Sequence, residues 1–238
     1  MKWLLWAIQV GTNMIKSILF KEWLKTYKII LSFLFIFLLV IVETFLNIKN
    51  NFEFQDATVT IVNIIILGKF DFNYINIISM TFSVLLATMQ FYPEIHNGRI
   101  RLYLHLPLNH NKLISLMIFS GLATIIIVFL LFTIGYFFVL NRYYPIEVFF
   151  AIYSKLIPIF ISSILLYLAT TLVFVEPKSM KKISYIVITI LLLMIYLNIS
   201  IKKYFIAYEL NFFVIMVICT YIIATFEAFA SYKKGYIK

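Results

Sequence analysis

The sequence predicts an all-α integral membrane protein with six transmembrane helices and both termini on the cytoplasmic side. Three observations lead there. The 238 residues are 63% hydrophobic and only 13% charged, with a mean hydropathy of +1.01. Soluble domains run near 45–50% apolar and about 25% charged, and a fold this size would lack the charge to cover a wet surface. The apolar residues also fall in six runs long enough to cross about 30 Å of hydrocarbon at 1.5 Å per residue. Finally, the basic residues crowd the segments that a six-span arrangement with an inner N-terminus places inside. The length suits one domain spanning 1–238.

Residues 1–28 carry a helical period. Gln9, Asn13, Lys16, Ser17, Lys21 and Lys25 recur on one stripe, while Ile8, Met14, Ile15, Ile18, Leu19 and Trp23 fill much of the other side. This reads as an amphipathic helix lying on the inner membrane surface, with Trp3, Trp6 and Trp23 at head-group depth. A signal peptide fits less well, because no small-residue cleavage site follows the short apolar stretch. The spans then follow at about 29–46, 74–91, 113–140, 148–175, 183–200 and 212–230. A run at 58–67 is too short to span and reads as interfacial.

Orientation comes from charge. With the N-terminus inside, the inner segments hold Lys2, Lys16, Lys21, Lys25, Lys28, Arg99, Arg101, Lys112, Lys178, Lys181, Lys182, Lys233, Lys234 and Lys238, which is 14 of the 20 basic residues. The outer segments hold Lys49, Lys69, Arg142, Lys202 and Lys203, with Lys155 in the outer third of span four. That bias satisfies the positive-inside rule, and one span more or fewer would scramble it. The net charge of +10 is therefore a topology signal, and nucleic acid is not an expected partner. The Ile, Lys, Asn, Phe and Tyr content fits a bacterial protein of the cytoplasmic (inner) membrane.

Several chemistries are missing. Glycines stand at 11, 68, 98, 121, 135 and 235, and none builds a phosphate-binding loop. No HExxH or GxSxG motif occurs. His96, His105 and His110 are close in sequence, yet their spacing fits no familiar metal site and only Glu94 is near, so they read as solvated loop histidines. Cys219 lies alone in an apolar run. Glu43, Lys155 and Glu227 lie towards span ends, where they can snorkel to the interface. Pro158 can kink span four, but no acidic group accompanies it. The chain is thus not expected to be an enzyme or to hold a cofactor or metal, and an ion-coupled carrier is disfavoured.

The most informative stretch joins spans two and three. Glu94 follows Pro93, where a new helix can begin. Ile100, Tyr103 and Leu104 share a face, with Arg99 and Arg101 elsewhere, and Pro107 ends the helix. The result is a short amphipathic helix beneath the membrane, offering apolar residues and arginines to a partner.

In these residues the chain resembles the membrane subunit of ABC-2 type ATP-binding-cassette transporters. The family pattern "E…G…L…LP" between spans two and three matches Glu94, Gly98, Leu102, Leu106 and Pro107, with Asn109-His110 after them, and Lys21-Glu22 resembles the family's N-terminal pattern. His110 replaces the basic residue often found after the proline, and the Gly-Lys that often opens span three is absent. The motif covers about 20 residues, and the topology covers the chain.

The resemblance implies a permease without an ATP site of its own, which dimerises with an identical or related subunit and docks on two cytoplasmic ABC ATPase subunits that carry ATP and Mg. It implies a coupling helix at Glu94, Gly98, Arg99, Arg101, Leu102, Leu106 and Pro107, and an interfacial helix, with Lys16, Lys21, Glu22 and Lys25, that braces the ATPase against the bilayer. The loop Glu176–Lys182 is a second contact candidate. Export is the commoner direction in the family. The competing expectations are a standalone membrane immunity or scaffold protein and a membrane-embedded lipid-modifying enzyme.

Overall fold

A computed structural model describes residues 2–54, 73–96, 110–202 and 204–233. These form six α-helices: α1 Lys2–Phe54, α2 Asn73–His96, α3 His110–Tyr143, α4 Ile146–Val175, α5 Ser179–Lys202 and α6 Tyr204–Lys233. No strand occurs among the described residues. Each helix contains a stretch long and apolar enough to cross a membrane, as the sequence predicts. In hydrocarbon every backbone polar group needs an internal partner, and helices provide one.

The segment expected on the membrane surface and the first span are one uninterrupted helix of 53 residues. At 1.5 Å per residue it is about 80 Å long, more than twice the hydrocarbon thickness. Gly11 is the only glycine in its first half, and no proline interrupts it. Nothing in the local sequence therefore breaks the helix at Lys28. The second helix also departs from expectation: it runs through Pro93 to His96 instead of restarting there. Proline removes one N–H and fixes φ near −65°, which a helix tolerates at the cost of one backbone bond. The loop Glu176–Lys182 shrinks to Glu176, Pro177 and Lys178, because α5 begins at Ser179.

The helix at the centre is α4. It packs most extensively on α2, then on α6 and α5, while α1 packs chiefly on α3 and α2. In its apolar stretch 61% of the residues are buried, against 17% in α5. Outward-facing residues such as Leu31, Phe35, Leu130, Phe138, Ile190 and Met194 are large and apolar, which suits contact with lipid. Lipid gives no hydrophobic drive for helices to associate, so close packing must hold the bundle. Aromatic rings supply much of it: Phe129 of α3 stacks on Phe160 of α4 at 4.4 Å between centroids. Phe37 of α1 meets Phe132 of α3 at 4.9 Å, and Phe33 of α1 meets Phe82 of α2 at 5.0 Å. Such pairs contribute about 0.5–1.5 kcal/mol each beyond their area.

Of the charged residues placed near span ends, Glu43 and Glu227 are exposed. Lys155 is not: it is 7% exposed and lies among the helices, so burial in the bundle replaces the expected snorkelling.

Candidate functional site

The described polar chemistry concentrates at the end of α2 that leads into residues 97–109. Glu94 sits on the last described turn of α2 and is wholly buried. Its Oε1 accepts hydrogen bonds from two ammonium groups of α1, Lys21 Nζ at 2.8 Å and Lys25 Nζ. The same Lys25 Nζ also meets Glu22 Oε1 at 2.8 Å. Two lysines and two glutamates thus form a charge-balanced cluster tying residues 21–25 to residue 94. Lys21 and Lys25 lie one helical turn apart and so share a face of α1. A buried carboxylate is costly unless paired and hydrogen-bonded, and Glu94 has two cations. One oxygen of each glutamate, Glu22 Oε2 and Glu94 Oε2, is buried without a hydrogen-bond partner.

Four residues singled out from sequence are brought together here: Lys21, Glu22, Lys25 and Glu94. The sequence assigns the first three to a membrane-surface helix and Glu94 to the start of a coupling helix. In the structure Lys21 and Lys25 reach Glu94 on α2. Lys16 is exposed and stands apart from the cluster. Gly98, Arg99, Arg101, Leu102, Leu106 and Pro107 lie outside the described residues, as do His105 and the run at 58–67. His96 is exposed at the end of α2, beside the Tyr92 ring. Among the described residues no group of three metal-ligating side chains converges.

One turn before Glu94 on α2 is a second polar knot that sequence reasoning missed. Gln90 Nε2 donates to the Met117 carbonyl at 2.6 Å and to Ser120 Oγ at 3.1 Å, both on α3. Tyr167 of α4 donates its hydroxyl to Gln90 Oε1 at 2.7 Å. A single amide therefore joins three helices with its donors and acceptor engaged, as a buried amide requires. Gly121 of α3 makes room for it: a Cβ there would fall inside the Tyr167 phenol and 2.6 Å from Gln90 Oε1. The available signal was a glutamine inside an apolar run, since polar groups at membrane depth are expensive and tend to be paired.

Between α1, α2 and α3 the two knots border a half-open cleft of about 260 Å³. Its walls are Glu22 and Thr26 of α1, Gln90 of α2, and Ser120, Gly121, Ala123 and Thr124 of α3, with Leu19, Trp23 and Phe119 at its apolar side.

Chemically this region can hold α1 and α2 together, carry force between them and offer a small recess, largely apolar, with a few polar groups in its walls. Comparisons with protein-family models, with curated proteins and with solved structures give no match.

Proposed function

We propose that the chain is the membrane-spanning subunit of an ATP-binding-cassette transporter of the ABC-2 type, working as an exporter. Two such subunits form the path, and separate cytoplasmic ATPases dock on the loop that follows Glu94, at residues 98–107. The motif resemblance at Glu94, Gly98, Leu102, Leu106 and Pro107 supports the choice of family. The observation that carries the reading is the ion-pair cluster. It clamps the end of α2, immediately ahead of the proposed docking loop, to the N-terminal part of α1.

Force applied at residues 97–109 then reaches two helices at once. Glu94 moves with α2, and Lys21 and Lys25 oblige α1 to follow. The Gln90 knot passes the displacement on to α3 and α4. That is the form of a rigid-body rearrangement: packed helices shift as units and do not deform one by one. ATP hydrolysis belongs to the partner, and this chain's residues bind it, orient the helices and open the path. Apolar spans favour a hydrophobic, amphipathic or peptidic cargo over a small ion.

Charge reversal of both Arg99 and Arg101 tests the docking surface. The Arg99→Glu, Arg101→Glu chain should insert normally but lose its ATPase on co-purification from the native host. Unchanged complex yield and transport would remove those residues from the interface. A chain that brings down no ATPase even without substitutions would favour the scaffold reading.

A further inference from the structure

In the cleft between α1, α2 and α3 the donors of the wall side chains are engaged. Thr26 Oγ1 donates to the Glu22 carbonyl at 3.0 Å, Ser120 Oγ to Met117 at 2.8 Å and Thr124 Oγ1 to Ser120 at 2.8 Å. Both amide protons of Gln90 are directed to Met117 and Ser120. The polar side chains lining the walls have therefore committed their donors and keep only acceptor lone pairs. Glu22 adds a carboxylate that is 3% exposed and whose Oε2 has no hydrogen-bond partner. A group that complements such walls is rich in donors and free of acceptors, and a primary ammonium, with three N–H donors, meets that description.

The mouth identifies the source. Leu19, Trp23 and Phe119 are 36%, 53% and 65% exposed, on helices long and apolar enough to span a membrane. Trp23 lies six residues before Ile29, where the sequence predicts the first span to begin, a position that suits the preference of tryptophan for the head-group region. At about 260 Å³ the cleft is smaller than the roughly 300–1,000 Å³ of sites for drug-sized molecules. It accommodates a head group and leaves acyl chains outside.

We propose that this cleft is a binding site for a membrane lipid with a primary ammonium head group, of the phosphatidylethanolamine type. The ammonium sits against Glu22 and the hydroxyls of Thr26 and Thr124, and the chains lie over Leu19 and Phe119. The indole N–H of Trp23, at the mouth, faces the phosphate. The lipid is a resident of the α1–α3 seam, not cargo, and the site does not depend on an ATPase partner.

The test uses the full chain with Trp3→Phe and Trp6→Phe, so that Trp23 is the remaining tryptophan. It is reconstituted in phosphatidylcholine nanodiscs and titrated with lipids brominated on the acyl chains, which quench nearby indoles. Brominated phosphatidylethanolamine should compete for the Trp23 site about tenfold better than brominated phosphatidylcholine, whose quaternary head has no N–H to donate. Glu22→Gln should reduce that preference. Ala123→Leu, which fills the cleft without touching the ion cluster, should abolish it and serves if Glu22→Gln fails to fold. Equal quenching by the two lipids, a preference for brominated phosphatidylglycerol, or a preference that survives Ala123→Leu would overturn the proposal. Saturable quenching by a brominated alkylamine with none by phosphatidylethanolamine would overturn the assignment to a lipid.

Discussion

Breaking the bond between α1 and α2 at Glu94 is the perturbation with the clearest arithmetic. Removing one member of a buried ion pair typically costs about 3–5 kcal/mol, because the other charge is left buried and unpaired. Glu94→Gln should fall below that range. Lys25 keeps Glu22 at 2.8 Å, and the Lys21 side chain, 35% exposed, can turn to water, so its own pairing is worth no more than a surface bridge of about 1 kcal/mol or less. A loss of about 2–3 kcal/mol follows. Lys25→Met should cost at least as much, since Glu22 then loses its Lys25 bond and Glu94 keeps only Lys21. The two residues share one network, so their effects should not add. In the double mutant, a coupling energy of about 1–2 kcal/mol is expected. SDS-driven unfolding of the full chain in mixed micelles, followed by tryptophan emission, reads all four corners of the cycle. Lys16→Met is the control and should change stability by less than about 0.5 kcal/mol, because Lys16 is exposed. Effects that add to within about 0.5 kcal/mol would mean that Lys25 and Glu94 act independently and that the clamp is wrong.

Other substitutions test the remaining parts. Gly121→Ala should destabilise the bundle by at least the 1–3 kcal/mol typical of overpacking. Gly135→Ala should be milder, since its Cβ would meet only the flexible Ile41 Cδ1 at 2.9 Å; the same unfolding assay compares them. Tyr167→Phe should cost about 1–3 kcal/mol by removing the hydroxyl that Gln90 Oε1 accepts from. Topology is checked with single cysteines on a Cys219→Ser background. Positions Lys182 and Lys233 should react with a membrane-impermeant maleimide only after permeabilisation, and position Arg142 in intact cells. Labelling in the opposite sense would invert the orientation.

The six helices were legible because each is a long apolar run bounded by charge. Lys28 marks the start of the first and Arg142 the end of the third. Local composition cannot report how helices join, so a surface helix and a span read as two elements although Lys2–Phe54 forms one. Pro93 misled for a related reason: a breaker in sequence is tolerated where the helix loses only one bond. The cluster was half legible. Lys21, Glu22, Lys25 and Glu94 each stood out as charges beside spans, but 69 residues separate Lys25 from Glu94, and no local periodicity links them. The Gln90–Tyr167 pair was hidden more deeply, since a tyrosine in a span ordinarily reads as an interfacial anchor. Gly121 gains its meaning only from the phenol packed against it.

The central claim is that an ATPase bound to the inner face drives this bundle. It is tested most directly by purifying the tagged chain from native membranes in mild detergent and measuring what accompanies it. The account predicts a soluble ATPase with a phosphate-binding loop, in near-equal amount to the chain, whose recovery falls when Arg99 and Arg101 are reversed in charge. Recovery of the folded chain with no ATPase, under conditions that preserve membrane complexes, would contradict it.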